Sequence, residues 1–83
     1  EVDKQIRKIV VQLEEVEGKI EEVEAEISRL DAKFANPDEG DAANPDYAFF
    51  SKYQELKDDL NVFMKRWEDL SLELEELKAK RNL

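Results

Sequence analysis

The sequence predicts an all-α fold, a two-helix antiparallel coiled-coil hairpin that forms a single domain over residues 1–83. Three observations lead to this prediction: two apolar heptad repeats, a break rich in Pro, Gly and Asp between them, and a charged fraction of 42%. A repeat of 3.5 residues places a narrow apolar stripe along a helix, and that stripe is stable only against a second one. We therefore expect a core that is a long seam between two helices.

The first arm is predicted over residues 2–34. We assign Ile6 and each seventh residue after it to heptad position a, and Ile9 and each seventh residue after it to position d. The apolar stripe, which steps by four and three residues without a gap, consists of Val2, Ile6, Ile9, Leu13, Val16, Ile20, Val23, Ile27, Leu30 and Phe34.

The break is predicted to be a loop over residues 35–44, and the second arm is predicted over residues 45–81. Asn44, Pro45 and Asp46 form a helix-start signal, with an Asn N-cap, a Pro at the first helical position and an acid near the positive end of the helix dipole. Tyr53 begins position a of this arm. Its stripe consists of Phe49, Tyr53, Leu56, Leu60, Phe63, Trp67, Leu70, Leu74 and Leu77.

The two stripes predict how the arms pair. If the chain folds back on itself, the residue numbers of every facing pair should have the same sum. From Ile6 opposite Leu77 onward the sum is 83 in each layer, and Trp67 then faces Val16. We expect Trp67 to be buried there, because a tryptophan adds a large apolar area to a thin seam.

Charges beside the stripes favour the antiparallel orientation. In this register four pairs of opposite charge lie near each other, namely Glu24 with Lys57, Asp3 with Lys78, Lys19 with Asp59, and Glu26 with Lys52. Exposed pairs contribute only about 0.2–1 kcal/mol each, so they select the orientation more than they stabilise it. A parallel homodimer would instead bring like acids together, so we expect a monomer.

The composition excludes several classes of site. The chain contains no cysteine and no histidine, which excludes thiol nucleophiles, histidine-based triads and Cys/His zinc sites. The acids between Glu14 and Glu26 have two interpretations, a Ca²⁺ or Mg²⁺ site or a solvated helix surface, and the heptad positions favour the second because they spread the carboxylates over several faces. We expect no enzyme activity, no metal and no cofactor in this fragment.

Loop acids offer a second carboxylate cluster. Asp38, Glu39, Asp41 and Asp46 could converge on a cation, and helix capping is the other explanation for them. Gly18 and Gly40 are too few to form a glycine-rich phosphate-binding loop.

Basic residues gather at the chain termini although the net charge is −9. If the hairpin forms, both groups meet at one end and define a candidate nucleic-acid interface that consists of Lys4, Arg7, Lys8, Lys78, Lys80 and Arg81, with Lys65 and Arg66 as secondary contacts. The alternative is structural, because cations near a helix C-terminus are stabilised by the helix dipole. The acids from Glu14 to Glu26 should repel phosphate.

Some apolar residues lie off the stripes. Val11 and Leu72 both fall at position f, at the same height along the hairpin, and are the candidate protein-docking residues. Val10, Phe50 and Met64 fall at position e, where they are expected to broaden the seam.

Two stretches of the second arm, FFSKYQELKDDL (49–60) and MKRWEDLSLELEEL (64–77), resemble the C-terminal coiled-coil domain of ABC-F family ATP-binding cassette ATPases, particularly the Uup-like branch. Tyr53 and the group Trp67-Glu68-Asp69-Leu70 match a Tyr and a Trp-Glu-acid-Leu group of that domain. In the first arm, LDAKFANPD (30–38) is similar to the family's leucine-rich helix ending at an acid/Pro loop.

The resemblance implies a cytoplasmic bacterial protein with two ATP-binding cassettes and no transmembrane domain. This hairpin would be appended at its C-terminus, and ATP would bind in the cassettes of the parent and not in this fragment. A chain that begins with Glu1 already in heptad register also reads as a domain excised from a longer protein. We expect a non-catalytic structural or docking arm in ribosome- or translation-linked work, with DNA binding at the basic end as the alternative and no contact with a membrane.

Overall fold

The computed structural model describes residues 1–35, without the side chain of Phe34, and residues 47–82. Helix α1 spans Val2–Ala35 and helix α2 spans Tyr47–Arg81. The molecule measures 60 × 17 × 14 Å, and its radius of gyration is 18.4 Å. A compact globular chain of this length would have a radius of about 12 Å. The fold is therefore a rod of two helices, as the heptads predict.

Contacts between the helices show that they run antiparallel. Asp3 at the start of α1 meets Arg81 at the end of α2, with 3.5 Å between the carboxylate Oδ1 and the guanidinium Nη1. Near the opposite end, Leu30 lines the same groove as Lys52 and Leu56. These partners agree with the predicted register, and the all-α hairpin is confirmed.

The core is the predicted seam. The buried apolar residues all belong to the two heptad stripes: Ile6, Ile9, Val16, Ile27, Leu56, Leu70 and Leu77. In α2 the three buried residues all occupy position d, whereas Tyr53, Leu60 and Leu74 at position a are only half-buried. Phe49 and Phe63 at position d are half-buried as well, so α2 buries residues at three of its d positions and at none of its a positions.

The prediction that Trp67 is buried was wrong. Trp67 remains 40% exposed, and its indole Nε1–H donates a hydrogen bond of 3.1 Å to Oε2 of Glu17. Two paired helices lie only 8–10 Å apart, which leaves little room for an indole between them. The indole N–H also needs an acceptor, and Glu17 at the edge of the seam supplies one.

None of the four predicted interhelical ion pairs forms among the described residues. Asp3 pairs with Arg81 instead of Lys78, and Glu26 pairs with Arg29 of its own helix at 3.8 Å. The energy of an exposed ion pair is too small to determine which cation a carboxylate binds. Cations at similar distances therefore compete for the same carboxylate.

Two lysines of those predicted pairs lie over aromatic rings. Lys19 Nζ is 5.8 Å from the ring centroid of Phe63, and Lys57 Nζ is 5.3 Å from that of Tyr53. A cation over a ring face contributes about 0.5–1 kcal/mol at an exposed site, which equals or exceeds an exposed ion pair. The ammonium groups of Lys19 and Lys57 therefore lie beside aromatic rings of α2 and not beside the predicted carboxylates.

Several predictions fall on residues outside the described ranges. They are residues 36–44 of the predicted loop, the helix start at Asn44 and Pro45, the loop carboxylates, and the side chain of Phe34 opposite Phe49. Ala35, predicted to be the first loop residue, is instead the last residue of α1.

Burial predicts how two leucines of α2 differ in their contribution to stability. Leu70 is 4% exposed, whereas Leu72 is 55% exposed. Leu70→Ala should lower the free energy of unfolding by about 2–5 kcal/mol, because it leaves a cavity in the seam. The matched control Leu72→Ala should change it by less than about 0.5 kcal/mol. Urea denaturation followed by circular dichroism measures both, and equal losses would contradict the assignment of the seam.

Gly18 offers a stabilising substitution in the middle of α1. Apart from its chain neighbours and the backbone of its own helix, a Cβ atom at this position would meet no atom within 4 Å, and the residue lies at the outward position f. Gly18→Ala should therefore raise the free energy of unfolding by about 0.5–1 kcal/mol. Ala25→Gly, one heptad later at the same position, should lower it by a similar amount. A loss of stability in Gly18→Ala would show that this face of α1 is packed.

Candidate nucleic-acid interface at the terminal end

The antiparallel fold brings the two basic groups of the sequence to one end of the rod. Lys4, Arg7 and Lys8 lie in the first turns of α1, and the last turn of α2 contains Lys78, Lys80 and Arg81. All six side chains are exposed. The terminal end is thus a place where cations of both helices are available to a ligand.

Heptad position divides the rod into two long faces. We call the side formed by positions a, e and b of both helices the e face, and the side formed by positions d, g and c the g face. In an antiparallel pair the e positions of the two helices flank one edge of the seam and the g positions flank the other. The grooves of the structure follow this division.

The predicted cations are distributed over both faces. Lys8 and Lys80 line one open groove of about 520 Å³ on the g face, together with Arg66. Glu73 and Glu76 line the same groove, so its charge is mixed. Arg66, expected only as a secondary contact, belongs to the same site as two of the primary ones.

The other predicted cations lie outside this groove. Arg7 and Lys78 occupy e-face positions, and Lys4 occupies the outward position f. Arg81 is held by the ion pair with Asp3, in which both side chains are more than half exposed. The terminal end therefore presents cations around its circumference. The register does not place all six side chains on one contiguous phosphate-binding surface. Binding of nucleic acid by these residues stays a prediction.

The two docking candidates are both accessible. Val11 is 53% exposed and Leu72 is 55% exposed. Position f points away from the partner helix, so the two side chains lie on opposite sides of the rod. A partner would have to surround the rod to contact both, and their docking role also stays a prediction.

Among residues 1–35 and 47–82, no three carboxylates lie close enough together to hold a metal ion. The loop acids lie outside these residues. In the described part of the chain, neither helix has an apolar stretch of the kind that spans a bilayer.

A further groove was missed from the sequence. Met64 and Trp67 of α2 line it on the e face with Glu17, Ile20 and Glu21 of α1, and its volume is about 480 Å³. Met64 was expected to broaden the seam and Trp67 to fill it. The signal that points to the groove is the spacing of three residues between them, which places two large apolar side chains side by side at positions e and a.

Comparison with known proteins identifies the family. The sequence profile of the ABC transporter C-terminal domain matches residues 4–72, which include most of both helices. The chain belongs to this family. No curated protein and no solved structure matches the chain. It is thus a C-terminal element of ABC proteins and not one of their catalytic ATPase domains.

The pair between Asp3 and Arg81 predicts a small, salt-sensitive coupling. A double-mutant cycle with Asp3→Asn and Arg81→Gln should give a coupling of about 0.2–1 kcal/mol in the free energy of unfolding, because both groups are exposed. The coupling should decrease at 1 M salt, where the Debye length is only about 3 Å. A coupling well above this range at high salt would mean that the pair is shielded from solvent.

Proposed function

We propose that this hairpin is the non-catalytic C-terminal arm of an ABC-F-type ATPase and that it serves as a structural and docking element in ribosome- or translation-linked work. The observation that carries the proposal is the family match over residues 4–72. The resemblance of the Tyr53 and Trp67-Glu68-Asp69-Leu70 group to the ABC-F domain supports the narrower assignment. In this proposal ATP binds to the cassettes of the parent protein, and the protein works in the cytoplasm.

The shape of the hairpin suits an arm. Its length of 60 Å is about four times its smallest dimension of 14 Å. Its accessible surface of 6553 Å² exceeds the roughly 5,100 Å² expected for a compact globular protein of this mass. A rod of this kind offers a long surface to partners at a fixed distance from its attachment point. As an isolated domain it is proposed to be a monomer, because the apolar stripes of the two helices cover each other within one chain.

Accessory DNA binding at the terminal end is the second candidate. The specific observation in its favour is the groove that Lys8 and Lys80 share with Arg66. The net charge of −9 opposes it, because the field of the whole molecule repels a polyanion. For this reason we rank it below the docking role.

Two binding measurements separate these functions. If the hairpin is a docking arm, the purified chain should co-sediment with ribosomes at physiological salt and should not bind duplex DNA at low salt. Val11→Ser with Leu72→Ser should weaken co-sedimentation, whereas the control Val62→Ser, at a position 64% exposed, should not. Micromolar DNA binding together with no ribosome binding would contradict the docking role.

Charge removal tests the DNA-binding alternative directly. If Lys8 and Lys80 each neutralise one phosphate, Lys8→Gln with Lys80→Gln should reduce the slope of log affinity against log salt by about 1.8. Lys33→Gln with Lys52→Gln removes the same charge on the same face at the opposite end and should leave the slope unchanged. Equal effects of the two double variants would show that only net charge matters.

A further inference from the structure

The apolar groove on the e face is not used by the proposed function. It is lined by Glu17, Ile20 and Glu21 of α1 and by Met64 and Trp67 of α2. Met64 is 51% exposed and Trp67 is 40% exposed, although each lies beside the seam. Adjacent large apolar side chains on the surface of a small protein are typical of contact surfaces.

Carboxylates surround this groove. Glu17 and Glu21 form its α1 side, and Glu14 and Glu24 lie one turn beyond them on the same helix face. Glu68 of α2 lies on the e face as well. In the part of the chain that the structure describes, none of these five carboxylates has a lysine or arginine within ion-pair distance.

The nearby lysines are engaged elsewhere. Lys19 lies over the ring of Phe63, and Lys57 lies over the ring of Tyr53. Lys65 pairs with Asp69 at 3.3 Å. The negative charge around the groove is therefore not neutralised by the hairpin itself.

The spacing of the glutamates on α1 brings their like charges close together. Glu17 and Glu21 are four residues apart, and Glu14 and Glu24 are each three residues from one of them, so that like charges face each other along one side of the helix. Like charges at these spacings destabilise a helix. A ligand with positive charge would relieve the repulsion, and an apolar group on the same ligand would cover Met64 and Trp67.

We propose that this groove binds a basic amphipathic helix of a partner protein. An apolar side chain of the partner lies between Met64 and Trp67, and lysine or arginine side chains pair with Glu17 and Glu21. The proposal rests on the apolar lining of the groove and on charge complementarity. It does not depend on the terminal cations or on the identity of the parent protein.

The geometry of the e face favours a helical partner. Val10 occupies position e, is 36% exposed, and precedes Glu17 by one heptad, about 10 Å along the helix. Val10 therefore supplies one further apolar contact point on this face, one heptad away from the groove. A helix of about three turns with apolar residues at every third or fourth position would pack along this edge as a third helix of the coiled coil.

Two other occupants are disfavoured by the same charges. A second copy of this chain would bring its own e-face carboxylates against Glu17 and Glu21. A nucleic acid would bring phosphates to the same place, and both would be repelled.

Trp67 provides the measurement, because it is the only tryptophan in the chain. The probe is a synthetic peptide of about 18 residues with leucine on one helix face and lysine on the others. It should shift the Trp67 emission to shorter wavelength in a saturable manner, with an affinity that falls as salt rises. A peptide of the same composition without an apolar face, and one with glutamate in place of lysine, should not produce this shift.

Matched variants locate the binding surface. Glu17→Gln with Glu21→Gln should lower the affinity by on the order of fivefold. Glu15→Gln with Glu22→Gln removes the same charge from position c on the g face and should change it less than twofold. Met64→Ser should also weaken binding, and circular dichroism of each variant verifies that the helices are intact.

Three results would overturn the proposal. They are equal binding of the peptide without an apolar face, equal losses in the two glutamate double variants, and a Trp67 shift that depends on protein concentration without peptide. The first two would show simple polyelectrolyte attraction, and the third would assign the groove to a second copy of the chain.

Discussion

Both helices depend on the burial of stripe residues in the seam between them. Most helix stability in proteins comes from packing of an apolar face against tertiary structure, and in this chain the only such contact among the described residues is the other helix. Each fully buried Val, Leu or Ile contributes about 1.5–3 kcal/mol. The seven buried residues lie between the heights of Ile6 and Ile27, about 32 Å of the 60 Å rod. A polar substitution at any of them would weaken both helices together.

The same seam divides the surface into two faces of different chemistry. On the g face, Lys8, Arg66 and Lys80 lie among carboxylates in one groove. On the e face, Trp67 and Met64 are accessible beside glutamates that have no lysine or arginine partner among the described residues. Family membership establishes a C-terminal element of ABC proteins, and these two faces are what such an element can offer to partners. The net charge of −9 favours the face that attracts cations.

The fold could be predicted from the sequence because the heptads determine which residues face the seam and a constant sum of residue numbers determines the register. The candidate site could be predicted only in part. Lys8 and Lys80 come together as the register requires, but Arg81 pairs with Asp3. Two of the four predicted ion pairs are replaced by contacts of Lys19 and Lys57 with aromatic rings. An exposed charge can pair with any of several neighbours at nearly equal energy. A heptad pattern therefore does not predict which pair forms. The prediction for Trp67 was wrong because the heptad pattern shows only that a residue is apolar. It does not show whether an indole fits between the two helices.

The claim that one chain folds back on itself is tested most directly by distances between spin labels. Because the chain contains no cysteine, cysteines introduced at Lys4 and Lys80 would be the only attachment sites. The hairpin predicts a distance of about 25 Å or less between these labels, since paired helix axes lie 8–10 Å apart and the labels sit at the same end. Labels at Lys4 and Ser28, 24 residues apart within α1, should give about 36 Å as an internal reference. A short distance that disappears when labelled chains are diluted with unlabelled ones would contradict the hairpin and indicate a dimer.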